Sequence, residues 1–333
     1  MARTSLPLSI LDLAAVGREE TIAESFAGSV ALGQAAERGG YRRIWYAEHH
    51  NISSIASSAT AVLIAHVAAH TETIRLGAGG VMLPNHSPLV IAEQFGTLET
   101  LHPGRIDLGL GRAPGTDQRT WMALRRDPRA SDRFPQDVIE LQKFLGEESP
   151  LPGIKAIPGR GTHVPLYILG SSLFGAELAA ELGLPYAFAS HFAPRFLHDA
   201  ITLYREEFKP SGQLREPYVI AGVGVIAAET SESAAEQLEA ARRVRARALF
   251  GRGQKLSEEE ITALLESPQA AAVDEMLAYT AVGLPDEVSA YLQKFAAETG
   301  ADELMTVHYS DSVPNRLRSV ELVASFAGER VTR

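Results

Sequence analysis

Cysteine is absent from all 333 residues. That excludes disulfide staples, thiolate metal sites, iron–sulfur clusters and a cysteine nucleophile. No apolar run approaches the roughly 20 residues of a membrane span. Residues 6–16 briefly imitate a signal peptide, but Asp12 interrupts the run and Arg18, Glu19 and Glu20 follow at once. The segment reads as the first strand and loop of a cytoplasmic protein. Basic excess is lacking as well: 31 Lys and Arg stand against 41 Asp and Glu, a formal charge of −10. Neither a nucleic-acid partner nor a membrane surface is therefore expected. No H-E-x-x-H occurs. His66 and His70 stand four apart on a helical stretch, but no carboxylate lies at ligand spacing, so no metal is expected.

What is present is globular, with 45% hydrophobic and 22% charged residues. The length allows two domains of about 150 residues, yet an α/β barrel can use it all as one. Short β-branched runs at residues 8–11, 43–47, 74–78, 106–109, 166–169, 186–189, 218–227 and 303–308 read as strands. Helical patterns separate them at 25–38, 56–69, 88–101, 175–182, 196–208, 231–249, 285–298 and 315–326. Alternation of this kind predicts βαβ units and a parallel sheet. Eight units favour a closed (β/α)8 TIM barrel, one domain over residues 1–333. An open doubly wound sheet is the alternative, weakened because no G-x-G-x-x-G opens the first helix. Two stretches exceed ordinary loop length, residues 127–164 after strand four and 250–282 after strand seven. Long insertions of this kind are usually lids.

A barrel places its active site at the C-terminal strand ends. After strand two come Glu48, His49, His50 and Asn51; after strand four, Gly111 and Arg112; after strand five, Gly170, Ser171 and Ser172. Arg112 with Ser171, Ser172 and a helix N-terminus suits a phosphate. The plainer reading is that Ser171 caps that helix. His49 and His50 are adjacent on a strand end, so only one can face the mouth. Gly77, Gly79 and Gly80 weaken a strand unless the chain bends, a neighbour packs closely or a planar ligand lies on the backbone; we favour the ligand. Asp107 and Arg105 suit an exposed pair or a barrel-bottom contact. Met82, Trp121, Met122 and Phe192 could line an apolar pocket, though ordinary packing is the commoner role.

These residues also carry a resemblance. Ala47–Asn51 (A-E-H-H-N) and Leu76–Pro84 (L-G-A-G-G-V-M-L-P), followed by His86 and Pro88, resemble the second and third strands of bacterial luciferase-like flavin monooxygenases. Pro103-Gly104-Arg105, Gly111-Arg112, Gly170-Ser171-Ser172, Gly183-Leu184-Pro185, Gly283–Val288 and Gly300–Glu303 continue it in order along the whole chain. The resemblance implies a barrel that takes reduced FMN as co-substrate. Oxygen would add to it as a flavin 4a-hydroperoxide and oxidise a small organic substrate. It places a non-proline cis peptide under the flavin at Gly79–Gly80. It makes Arg112, Ser171 and Ser172 phosphate ligands and His49 the catalytic histidine. A phosphate-binding threonine of luciferase falls on Gly175, which could contribute only its N–H. A glutamate of luciferase's phosphate loop falls on Ser171, and the light-emitting enzyme's reactive cysteine on Gly111, which puts luminescence in doubt. A separate flavin reductase and a homodimer through residues 54–70 and 88–102 are further implications. A deazaflavin-dependent dehydrogenase, a non-catalytic flavin-binding protein and an isomerase using Glu48 as base are the competing functions.

Overall fold

The computed structural model describes residues 6–113, 116–127, 129–251, 256–310 and 312–327. The chain runs β1 (Leu8–Asp12), α1 (Ile22–Arg38), β2 (Arg43–Tyr46), α2 (Thr60–Ala68), β3 (Arg75–Met82), α3 (Pro88–Leu101), β4 (Ile106–Gly111), α4 (Gln118–Ala123) and α5 (Phe134–Leu145). It continues through β5 (Leu166–Gly170), α6 (Leu173–Leu182), β6 (Tyr186–Phe188), α7 (Leu197–Glu207), β7 (Val219–Ala227) and α8 (Ser231–Phe250). Then follow α9 (Glu258–Leu265), α10 (Ala270–Met276), β8 (Thr280–Gly283), α11 (Pro285–Thr299), β9 (Glu303–His308) and α12 (Val313–Ala327).

Eight strands close a parallel barrel. Neighbours pair in order from β1 to β7, β7 pairs with β9, and β9 returns to β1. All eight expected strands are there. The open-sheet alternative fails because β9 closes on β1. β8 is an unexpected ninth strand: β7 is nine residues long, and its upper end, Gly224–Ala227, pairs with β8 beyond the ring. The stretch after strand four is not all insertion either. It contains α5, whose Phe134, Val138, Leu141 and Phe144 are buried in the main core. Its Pro135 sits in the first turn, where a missing N–H costs nothing.

Strand parity sorts the core. Ile44 and Tyr46 of β2, Leu76 and Ala78 of β3, and Leu108 and Leu110 of β4 join the cluster beneath the helices. Their alternates Trp45, Leu11, Tyr167, Ile220 and Met305 form a separate cluster inside the barrel. Below it lies a buried charge network. Arg43 Nη1 donates to Asp107 Oδ2 at 2.7 Å, and its Nε lies 2.9 Å from Glu303 Oε1. Trp45 Nε1 and Arg75 Nε donate to the Asp107 carboxylate at 3.1 and 3.0 Å. Asp107 is thus a barrel-bottom contact, but with Arg43 and Arg75. Arg105 instead bonds the Ile74 and Thr71 carbonyls.

Candidate active site

The same parity decides what the second strand end presents. Positions 43, 45 and 47 point inward, so His49 continues the inward row and Glu48 and His50 turn outward. Glu48 is 1% exposed. Its carboxylate accepts from the Met82 N–H at 3.0 Å and Asn85 Nδ2 at 3.2 Å, and meets His50 Nε2 at 2.8 Å and His86 Nε2 at 2.9 Å. Burial pushes its pKa up, but the bonds from His50, His86 and Asn85 outweigh that and hold it at about 2. The carboxylate in turn raises the pKa of His50. Glu48 therefore braces the loop after β3 from behind the wall. Its oxygens are taken and its basicity is low, which argues against it as an isomerase base.

His49 lies near enough to His191, three residues past the end of β6 and on its inward row, to depress its basicity. Burial is the largest cause and the Arg245 charge the next, and His191 is pulled down to about 3, so it is neutral. Tyr309 follows β9 on the inward row, and its hydroxyl donates to the His191 carbonyl at 2.7 Å. His191 and Tyr309 were not singled out by sequence reasoning. The signal was available: counting every second residue past an inward strand position reaches both.

β3 turns past the site with a cis peptide at Gly79–Gly80 and a register shift against β4 between Ala78 and Val81. A Cβ at Gly77 would stand 2.6 Å from the Asp107 carbonyl, at Gly79 2.8 Å from Leu11 and Trp45, and at Gly80 2.8 Å from the Gly109 carbonyl. Close packing by the protein is thus reason enough for all three glycines.

On the other side, Gly111 pairs with Leu169, which brings the ends of β4 and β5 together. Ser172, not Ser171, is the N-cap of α6, and its side chain makes no capping bond. The first turn of α6 holds no acidic residue. Arg112 is exposed, with its guanidinium 4.1 Å above the Phe174 ring, and among the described residues no carboxylate pairs with it. Arg112 thus stands over the first turn of α6, whose N-terminal N–H groups and preceding Ser171 and Ser172 supply the kinds of donor a phosphate needs. Gly175 is buried, and a Cβ there would stand 3.3 Å from Tyr186 Cε2, so a threonine would crowd that ring.

The other candidates take structural roles. Trp121 Nε1 donates to Asn85 Oδ1 at 3.0 Å, Met122 is 74% exposed and Phe192 packs edge-on to His191. His66 and His70 stack edge to face, and among the described residues no group of His, Asp and Glu is arranged to hold a metal. A cleft of about 660 Å³ lies beside the start of α3, lined by four arginines and four acidic residues. Balanced charge gives it no preference for a charged ligand. No helix among the described residues is long and apolar enough to cross a membrane.

Residues 6–303 match the family model of luciferase-like monooxygenases. A luciferase-like monooxygenase of Escherichia coli is 46% identical over 325 residues, covering 97% of both chains. An N-acetyl-S-alkylcysteine monooxygenase of Bacillus subtilis is 42% identical over 187 residues, 55% of this chain and 56% of that one. The structure of apo-MsnO8 superposes with a TM-score of 0.86 at 38% identity, over 98% of this chain and 100% of that one. Two more distant structures share the fold. One is the oxygenating constituent of 3,6-diketocamphane monooxygenase from Pseudomonas putida with FMN (TM-score 0.73, 15% identity, 99% of each chain). The other is an F420-dependent secondary alcohol dehydrogenase (TM-score 0.66, 14% identity, 96% and 98%). The chain belongs to the luciferase-like monooxygenase family and is an oxidoreductase of that family.

Proposed function

We propose that this monooxygenase works on reduced FMN and molecular oxygen, and oxidises a small organic substrate. The observation that carries the reading is Arg112 lying over Phe174 in the first turn of α6, whose N-cap Ser172 makes no side-chain capping bond. Arg112 and the two serines hold the FMN phosphate, and the Gly175 N–H faces it from the first turn of α6. The Gly79–Gly80 segment forms the floor beneath the ring. Reduced FMN supplies the electrons that activate oxygen. His49, inward on the mouth, holds and moves a proton beside the reacting atoms. The relatives support this choice: one oxidises an N-acetyl-S-alkylcysteine by its name, and one distant structure carries FMN.

The reduced cofactor comes from a separate flavin reductase. Two copies of the chain pair through α2 and α3, where Val62 is 71%, Val90 44% and Leu101 63% exposed. Anaerobic mixing with reduced FMN, followed by oxygen, tests the assignment. The expected result is oxygen consumption that tracks protein-bound reduced FMN, with no hydride transfer between a secondary alcohol and a deazaflavin. Turnover with the deazaflavin and none with FMN contradicts it. Tight flavin binding that leaves oxygen reactivity like that of free reduced FMN makes the chain a flavin carrier instead.

A further inference from the structure

α8 carries four arginines between residues 242 and 247. Three are paired on its outer side. Arg242 meets Glu239 at 3.1 Å and Asp274 at 2.9 Å, Arg243 meets Glu239 at 3.2 Å, and Arg247 meets Glu258 at 2.7 Å. Arg245 points the other way. Its guanidinium carbon stands 4.9 Å from the centre of the Tyr309 ring, at the rim of the barrel mouth. It is half-buried, and among the described residues no carboxylate lies within ion-pair distance.

Among the described residues its immediate neighbours, Tyr309 and His191, are neutral. Tyr309 is kept protonated by burial, which outweighs the pull of Arg245. His191 is 8% exposed, and its Nδ1 is buried without a hydrogen-bond partner. Only glycine fits opposite it, since a Cβ at Gly222 would stand 2.5 Å from that nitrogen. A half-buried cation among neutral groups is costly until an anion joins it. The phosphate cradle lies across the barrel at β4 and β5, so this charge is not needed there. A guanidinium fork matches the two oxygens of one acid group.

We propose that Arg245 anchors a singly charged organic acid, so that the substrate of this enzyme carries a carboxylate or sulfonate, with Tyr309 and His191 walling the subsite. The inference rests on the monooxygenase reading, because it treats the mouth as the reaction chamber. Apparent affinities for hexanoate, hexane-1-sulfonate and hexanamide, read by ligand-observed NMR, test it. The variants are Arg245→Gln, Arg245→Met and, on the outer face, Arg242→Gln. FMN affinity is measured on the same samples.

In the unsubstituted chain, one of the two anions binds about ten-fold more tightly than the amide, the share of one charge-assisted contact. The stronger anion names the acid. Both Arg245 variants lose that preference, Arg242→Gln retains it, and FMN affinity stays constant throughout. Equal binding of anions and amide to the unsubstituted chain overturns the proposal without needing any variant to fold. A preference that survives in either Arg245 variant overturns it as well. So does a loss of FMN affinity on substituting Arg245, which would assign the charge to the cofactor. If the unsubstituted chain prefers the anion but binds no FMN, the flavin reading falls and the acid subsite stands.

Discussion

Glu48 and His49 are neighbours in sequence and serve opposite sides of one wall. Glu48 is held at about pKa 2, below the ordinary 4.5, so it stabilises the fold above its ordinary value and loses that contribution as pH falls towards 2. His50 is raised above its ordinary 6.5, so its contribution is full below that value and is lost as pH rises through the raised one. Both contribute together between about pH 4.5 and 6.5. Glu48→Gln should cost about 2–4 kcal/mol in that window, with the gap narrowing on either side. Thermal unfolding of both proteins across pH measures this, and a pH-independent difference would count against the brace. His49→Ala should bind FMN normally but release hydrogen peroxide in place of oxidised product. Unchanged coupling would remove His49 from the chemistry. The residue types of this site were legible in the sequence; their sides were not fully so. Parity shows that His49 and His50 diverge, but only the closed ring shows which one faces in. Arg245 was illegible because its neighbours Tyr309 and His191 follow β9 and β6, far from α8 in the chain.

At the scale of elements, β3 and β4 lie too close for a side chain at Gly80. Gly80→Ala puts a Cβ 2.8 Å from the Gly109 carbonyl and 3.0 Å from its carbon, backbone atoms that cannot swing aside. The expected cost is about 1–3 kcal/mol, read from denaturant midpoints; a neutral result would mean that the two strands shift apart freely. The inserted stretch after β7 also has structure of its own. Ile261 of α9, Val273 of α10 and Leu277 bury themselves against Ala246 of α8. The segment expected to be a lid, 250–282, includes most of β8, which belongs to the sheet, so a deletion must stop short of it. Removing 256–277 should raise peroxide leakage while the barrel stays folded. Leakage equal to that of the full chain would deny it a covering role. Helix limits such as Pro88–Leu101 were legible because proline marks the start and polar residues the exposed face. β8 was not, because four residues beside a longer strand carry too little pattern.

At the scale of the whole molecule, the barrel was legible from eight alternations of strand and helix, since ring closure needs only that count and a parallel sheet. Assembly and cofactor belong to this scale too. Val62→Glu with Leu101→Glu should weaken a homodimer by about 100-fold or more without unfolding the barrel. Sedimentation velocity with circular dichroism checks both halves, and a dimer that persists in the double variant places the interface elsewhere. In the proposed function, Arg112, Ser171, Ser172 and the α6 N-terminus hold the phosphate of reduced FMN. Anaerobic titration with reduced FMN and with reduced riboflavin, which lacks only that phosphate, tests it most directly. The account predicts that FMN binds at least about 100-fold more tightly, the worth of two charge-assisted contacts, and that Arg112→Gln removes most of the difference. Equal affinity for the two flavins, or none for either, would contradict it.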